Sequence, residues 1–148
     1  MTIIKEVSTL HTDIFDAGLN VVSLGRIKSD IAMSIIEKFP EFSNILSADT
    51  DILFWKDRIK HTQRHQKDFI SEEEYNQCFE QIPGIIQRPE YISIHPNKDS
   101  ISFICQFTDY VAVAVRISVD GRLSYRTMYP LRRSQLFNYI EQGRAWKV

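Results

Sequence analysis

Four β-prone segments follow one another between Tyr91 and Tyr129, and no other feature of the sequence constrains the fold as strongly. They read YISIH, ISFICQF, YVAVAVRISV and RLSYRTMY. Turns at Pro96 to Ser100, at Thr108-Asp109 and at Asp120-Gly121 separate them, and Asp-Gly between apolar segments is a strong hairpin signal. Strands joined this closely pair most simply as an antiparallel meander.

The first half of the chain has helical periodicity instead. After a short β-prone stretch that ends at Gly25, a first helix is predicted with Ser29 as its N-cap, and Pro40 is expected to end it. A second helix is predicted from about Asp51 to Gln66, because apolar residues favour one side of it. Those residues are Ile52, Leu53, Trp55 and Ile59.

Two further helices complete the pattern. A capping box of Ser71 and Glu74 begins a third helix, which Pro83-Gly84 is expected to close. A C-terminal helix in RRSQLFNYIEQG is expected to end at Gly143. Helices first and strands afterwards predict an α+β fold, with N-terminal helices packed on an antiparallel meander sheet of four or more strands and a short C-terminal helix. We expect a single domain over residues 1–148.

Composition predicts a soluble protein. Hydrophobic residues make up 43% and charged residues 25% of the chain, and its apolar runs are far too short for a membrane span. No signal peptide is recognisable, and Cys78 and Cys105 are too sparse for a disulfide framework or a zinc knuckle. We expect both cysteines to be buried. The expected location is the cytoplasm.

Positive charge is concentrated in two segments of a nearly neutral chain. Residues 56–67 carry five Lys or Arg and one acid, and residues 116–147 carry seven and two, which gives +4 and +5. Since the net charge is −1, the remaining residues carry −10. A single basic face would attract a polyanion and speed its encounter. The alternative is that these charges are simply solvated.

The segment RIKHTQRHQ places His61, Arg64 and His65 on one face of the predicted helix, where their side chains can meet one ligand. Histidines four residues apart can bind a metal. However, Thr62 stands where a zincin has its glutamate and no third ligand is evident, so we expect neither metal nor cofactor. The pair can instead act as acid and base while Arg64 holds a phosphate. The third interpretation is an ordinary basic surface.

Four segments, in order along the chain, carry a family resemblance: SLGRIKSDIA, IKHTQRHQ, EEYNQCFEQIPGIIQRPEYI and LSYRTMYP. Together they resemble the phage-associated barnase–EndoU–colicin–RelE-like nuclease domains found in phage and bacterial toxin proteins. The second segment is similar to the family's His-x-x-x-Arg-His-like helix signature, one residue tighter here. The resemblance covers about Leu24 to Pro130.

The resemblance implies a small, metal-independent ribonuclease whose active site lies on the open face of the sheet. Carried over by motif, His61, Arg64 and His65 match the helix signature, and Thr127 and Tyr129 match the terminal strand. In that interpretation Thr127 holds a phosphate oxygen, and Tyr129 donates a hydrogen bond or stacks on a base.

Residues around the terminal strand extend the candidate site. Strand alternation predicts that Tyr125, Thr127 and Tyr129 share one side of the sheet while Arg126 faces the other. Cations beside aromatic rings are typical of surfaces that bind single-stranded RNA. We therefore include Tyr125 and the neighbouring Arg116 and Arg122 among the candidate substrate-binding residues.

These observations predict a metal-independent endoribonuclease in which a ribose 2′-hydroxyl attacks the phosphate and leaves a cyclic phosphate. The expected partners are RNA, with transfer RNA as one candidate, and an acidic immunity protein that would protect a cell making such a toxin. No membrane is expected. The resemblance implies a chain that is either complete or delivered as the C-terminal part of a larger phage or secreted protein. The alternative is an inactive RNA- or protein-binding adaptor of the same fold.

Overall fold

A computed structural model describes residues 4–148 and confirms the α+β fold class. The sheet has seven strands rather than the minimum of four, and short 3₁₀ turns lie at Thr12–Ala17, Pro40–Asn44 and Gln66–Asp68. No helix within residues 4–148 has the length and apolarity to cross a membrane. The strands are β1 (Val21–Arg26), β2 (Asp51–Trp55), β3 (Tyr91–Ile94), β4 (Ser100–Gln106), β5 (Tyr110–Ile117), β6 (Leu123–Leu131) and β7 (Ala145–Lys147), and the helices are α1 (Ser29–Lys38), α2 (Arg58–Gln63), α3 (Glu72–Glu80), α4 (Ile82–Gln87) and α5 (Arg133–Glu141).

The predicted meander forms the centre of the sheet. The strand order is β1-β2-β6-β5-β4-β3-β7, so the four successive strands β3 to β6 are neighbours, as expected. All pairs are antiparallel except β2 with β6. Strand β7, which the sequence did not predict, extends the sheet by pairing with β3.

The two faces of the sheet are covered differently. On one face, which we call the helix face, residues of β3 to β6 such as Phe103 and Val113 pack with α1, α3 and α4 in the main core. On the other face, α5 covers one end through Leu136, which packs with Ile104 and Ala112. The rest of that second face, which we call the open face, carries short polar side chains, and it is where the site lies. Those side chains include Ser100, Ser102, Ser124 and Thr127.

The predicted helix from Asp51 to Gln66 is wrong. Its first five residues form β2, which pairs with β1 on one side and β6 on the other, and only Arg58–Gln63 is helical. A short apolar run is compatible with the periodicity of a helix and with that of a strand. Here the burial of the run between two neighbouring strands favours the strand. Ile52 and Phe54 are both fully buried, whereas Trp55 is exposed.

Smaller differences concern helix ends and one cysteine. Ser29 is the first residue of α1 rather than its cap. Ser71 caps α3 by accepting a hydrogen bond from the Glu74 amide, as predicted. Pro83 does not close that helix, because it lies in the first turn of α4, where proline is tolerated. Cys105 is only half-buried, unlike Cys78.

Gly25 has a structural requirement for glycine within the SLGRIKSDIA motif. It lies at the irregularity between β1 and β2 with φ of +95°, a conformation that side chains disfavour. A Cβ there would also lie 2.7 Å from Nε2 of Gln87, which donates a hydrogen bond to the Arg26 carbonyl. The positive φ is the stronger requirement, because the Gln87 amide is the end of a flexible side chain that can move aside.

An extra residue interrupts the pairing of β5 with β6. Val115 pairs with Tyr125 and Ala114 pairs with Thr127, so Arg126 is a β-bulge. A one-residue shift exchanges the two faces of a strand. Tyr125 therefore points into the main core, stacked on Phe54 at 4.5 Å between ring centroids, while Thr127 points to the open face.

Helix α2 is fixed to β6 just before this bulge. Thr62 is fully buried, and its hydroxyl donates to the Arg58 carbonyl at 2.8 Å and lies 2.6 Å from the Tyr125 hydroxyl. Because the threonine proton is used on the carbonyl, the tyrosine donates to Thr62. These bonds connect the turn that carries the histidines to the strand that carries Thr127.

Replacing Thr62 by valine should destabilise the fold by about 1–3 kcal/mol, because it leaves the buried Tyr125 hydroxyl unpaired. In a Tyr125→Phe background the same replacement should cost clearly less. Urea unfolding of the four proteins in this cycle measures the difference. Thr108→Val, at an exposed position, is the control. An equal cost in both backgrounds would contradict the bond's role.

Candidate active site

Helix α2 takes the place that β2 leaves free beside β6. The parallel pairing of β2 with β6 covers only Ile52 with Leu123 and Leu53 with Ser124. Beyond it, the Arg58 guanidinium donates two hydrogen bonds to the Arg126 carbonyl, one of them from Nε at 2.9 Å. A side chain thus bonds a backbone carbonyl at the bulge and fixes the start of α2 there.

His61 projects from α2 into an open hollow of about 450 Å³, which we call the His61 hollow. Its lining combines one histidine with arginines from a helix and two strands, as expected of a site that binds an anion. Arg116 of β5 and Arg126 of β6 are exposed, so both guanidinium groups are open to a ligand. The lining residues are Trp55, Asp57, Arg58, His61, Arg116, Ser124, Tyr125 and Arg126.

The surroundings of His61 favour its neutral form. Partial burial lowers its pKa below the ordinary histidine value, and repulsion from Arg58, Arg64, His65 and Arg126 lowers it further. An imidazole with a lowered pKa is unprotonated at neutral pH and can accept a proton. The same cations that would attract a phosphate therefore keep His61 available as a base.

A second hollow of about 340 Å³ adjoins the first, since Arg126 lines both, and we call it the Thr127 hollow. The hydroxyl oxygen of Thr127 and one carboxylate oxygen of Asp99 are buried without a hydrogen-bond partner among residues 4–148. The Asp99 oxygen has the His95 ring nitrogen 3.6 Å away, so the Thr127 hydroxyl is the clearer sign of a place for a polar ligand, because buried polar atoms are normally paired. The lining residues are His95, Asn97, Asp99, Ser100, Ser102, Ala114, Arg126, Thr127 and Tyr129.

His65 and Arg64 lie beyond the end of α2. The His65 ring is 6.4 Å from the Tyr129 ring, between centroids, and its Nδ1 is 3.3 Å from the Asp68 carboxylate. Tyr129 is half-buried, and burial raises its pKa. Arg64 is exposed and acts on His61 through its charge. The structure thus brings His61, Thr127 and Tyr129 to neighbouring hollows, with His65 beside Tyr129.

Two expectations about side-chain direction are wrong, and the bulge is the physical reason for both. Tyr125 was expected beside Thr127, but it lies in the core and is only 2% exposed. Burial raises its pKa and leaves no ring face free to stack on a nucleobase. Arg126 was expected on the opposite side and instead lines both hollows. Arg122 pairs with Asp120 in the hairpin turn, at 2.9 Å, and lines neither hollow.

Sequence reasoning missed several residues of these hollows, among them Arg58, Trp55, His95 and Asp99. The sequence indicated no role for His95, yet its Nδ1 lies 3.6 Å from one carboxylate oxygen of Asp99, whose other oxygen is 3.8 Å from Arg126. The short distance from His95 to Asp99 in the sequence was the only available signal. Trp55 and Arg58 were assigned to the helix that proved to be partly a strand.

Over the described range, 4–148, no three His, Cys, Asp or Glu side chains come together as a metal-binding group. His61 and His65 are therefore not joined by a third ligand of these types within that range.

A basic, histidine-bearing surface on the open face of a helix-backed sheet defines the class: a small α+β domain suited to an anionic ligand. The family model for phage-Barnase-EndoU-ColicinE5/D-RelE like nuclease 3 matches residues 31–138, and the chain belongs to this family. The matched range begins at residue 31, whereas the resemblance described above begins at Leu24, and the match extends into α5. Membership makes this a nuclease-like domain and implies a nucleic-acid substrate. No curated protein and no solved structure matches the chain.

Removing one of the cations around His61 should raise its pKa. Arg64→Gln is the cleanest change, since Arg64 is exposed and its charge is among the causes of the lowered pKa. The titration midpoint of His61, followed by the NMR signals of the imidazole protons, should begin below that of an ordinary histidine and move upward in the variant. Lys67→Gln removes an exposed cation that is not among those causes and should leave the midpoint in place. A midpoint unmoved by Arg64→Gln would contradict the electrostatic explanation.

Proposed function

We propose that this protein is a metal-independent endoribonuclease that cleaves RNA by attack of the ribose 2′-hydroxyl on the neighbouring phosphate. One observation carries the proposal: His61, whose pKa is lowered, shares an open hollow with Arg58, Arg116 and Arg126. A base and several cations in one place are what phosphodiester transfer requires. Membership in a nuclease family supports the same reaction class.

In this mechanism the scissile phosphate lies between the two hollows. Arg126, which lines both, binds its oxygens, and the unpaired Thr127 hydroxyl donates a hydrogen bond to one of them. Arg116 adds positive charge from β5, and Arg64 contributes from the exposed end of α2. These groups stabilise the charge that accumulates on the phosphoryl oxygens in the transition state.

His61 acts as the general base. It takes the proton of the 2′-hydroxyl as that oxygen bonds to phosphorus, and the bond from phosphorus to the 5′-oxygen breaks. A proton delivered to the departing 5′-oxygen leaves a 2′,3′-cyclic phosphate and a free 5′-hydroxyl. The nucleophile belongs to the substrate, so no metal-bound water is needed. DNA lacks the hydroxyl and should resist.

His65 is the proposed proton donor, with Tyr129 beside it in the Thr127 hollow. His95 is the competing donor, because it lines that hollow directly and lies close to Asp99. Separate His65→Ala and His95→Ala variants distinguish them. The donor's variant should lose cleavage of ordinary RNA but retain cleavage of a substrate whose leaving oxygen needs no proton, such as a 3′-nitrophenyl phosphate ester of a nucleotide.

We further propose that the protein acts as a toxin in a bacterial cytoplasm, with transfer RNA as one candidate substrate and an acidic immunity protein as partner. The cations of the His61 hollow would be complementary to an acidic patch. Poor growth of cells expressing the natural protein, relieved by His61→Ala, would support toxicity.

Incubation with total RNA in excess chelator is the direct test. We expect cleavage to products with cyclic phosphate ends, and His61→Ala should slow it by roughly 100- to 10,000-fold, the usual contribution of an acid–base group. His11→Ala is the matched control, since His11 is exposed beside Glu80 and lines neither hollow. Activity that needs a divalent ion would refute the mechanism. Binding of RNA without cleavage would favour the adaptor alternative.

Thr127→Val should separate activity from stability. The hydroxyl has no partner within the described residues, so its removal should leave the free energy of unfolding unchanged or slightly raised. Loss of a hydrogen bond to a charged phosphate should slow cleavage by roughly 10- to 150-fold. Thr50→Val, at a similarly half-buried position, should alter cleavage little. A variant that is less stable and fully active would show that the hydroxyl serves the fold instead.

A further inference from the structure

Trp55 is an exposed aromatic residue at the edge of the His61 hollow. It is the last residue of β2, where Ile52 and Phe54 point into the core and Trp55 therefore points the other way. Its side chain is 44% exposed. The indole therefore lies at the surface, whereas the inward-facing aromatic residues pack in the hydrophobic core.

The indole lines two hollows. One is the His61 hollow, and the other has a volume of about 470 Å³ and is lined by Asn20, Trp55, Lys56, Asp57 and Lys60. The side chains around the indole thus include five cations. Asp57 is the only carboxylate that lines either hollow within the described chain. The cations are Lys56, Arg58, Lys60, Arg116 and Arg126.

We propose that Trp55 is the stacking platform for an unpaired nucleobase adjacent to the scissile phosphate, so that the preferred substrate is single-stranded RNA. The inference rests on the proposed nuclease function and adds the form of its substrate. An indole stacks on the face of any base, and the cations of the two hollows can hold the phosphates that flank that base. A base within a duplex is already stacked on its neighbours and offers no free face.

The second tryptophan makes this proposal measurable. Trp146 is half-buried, donates from Nε1 to Ser34 Oγ at 2.9 Å, and packs on Phe39 at 6.1 Å between ring centroids. Replacing it by phenylalanine leaves Trp55 as the single tryptophan of the chain. The added change His61→Ala prevents cleavage during a titration.

Tryptophan emission of this double variant is followed in chelator as a single-stranded oligoribonucleotide, or the same sequence in a duplex, is added. We expect quenching by the single strand and little by the duplex. Fluorescence anisotropy of labelled RNA reports binding independently, with His61→Ala alone as the parent. There, Trp55→Ala should weaken single-strand binding roughly 5- to 150-fold, and Trp55→Phe should retain part of it.

Phe137→Ala is the matched control. Phe137 is 43% exposed, lies on α5 and lines neither hollow beside Trp55, so its loss should leave RNA binding unchanged. Anisotropy in the Trp146-containing parent keeps the test decisive if Trp146→Phe fails to fold.

The outcomes separate this proposal from the one on which it rests. Cleavage by the natural protein together with unchanged binding in Trp55→Ala would overturn the stacking platform and leave the nuclease assignment standing. Quenching by single strands without cleavage by the natural protein would support the platform and overturn the nuclease. Equal binding of duplex and single strand, with no change in emission, would refute the platform.

Discussion

The bond between the Arg58 guanidinium and the Arg126 carbonyl is the interaction on which the candidate site depends. It joins the start of α2 to the one residue of β6 that has no partner in β5. The bulge turns Thr127 and Tyr129 to the open face, and the anchored helix places His61 in the adjoining hollow, which shares Arg126 with theirs. Without the extra residue, strand alternation would put Tyr125 and Thr127 on the same side. Bulges near active sites commonly redirect a side chain in this way.

Short side chains on the open face leave space for a ligand. Ser102 pairs with Ala114, and Ala114 pairs with Thr127, so three adjacent strands present small residues at one level of the sheet. At the other end, the larger Ile104 and Leu131 are covered by α5. The difference in side-chain size leaves room for the Thr127 hollow where a second helical layer would otherwise pack. Function on this fold therefore depends as much on residues that leave space as on residues that react.

Charge is arranged locally in a chain whose net charge is only −1. Cations from α2, β5 and β6 converge around His61, and they serve two purposes at once. Their charges would attract an anion. Partial burial lowers the pKa of the histidine, and Arg58, Arg64 and Arg126 lower it further by repelling a further positive charge. An overall charge near zero thus gives little indication of the local field, which depends on which side chains the fold brings together.

The amino-acid sequence by itself determined the α+β class, the β3–β6 meander and its Asp-Gly hairpin, and the capped start of α3, because local periodicity and turn chemistry decide such features. Its motifs also carried the resemblance to a nuclease family and indicated His61, His65, Thr127 and Tyr129 as candidate site residues. Only the tertiary structure decided that residues 51–55 form a strand, since that depends on neighbours far along the chain. The same holds for the bulge at Arg126, for the burial of Tyr125, and for the meeting of His95, Asp99 and Thr127. A one-residue change of register leaves no trace in local composition, yet it exchanges the two faces of a strand.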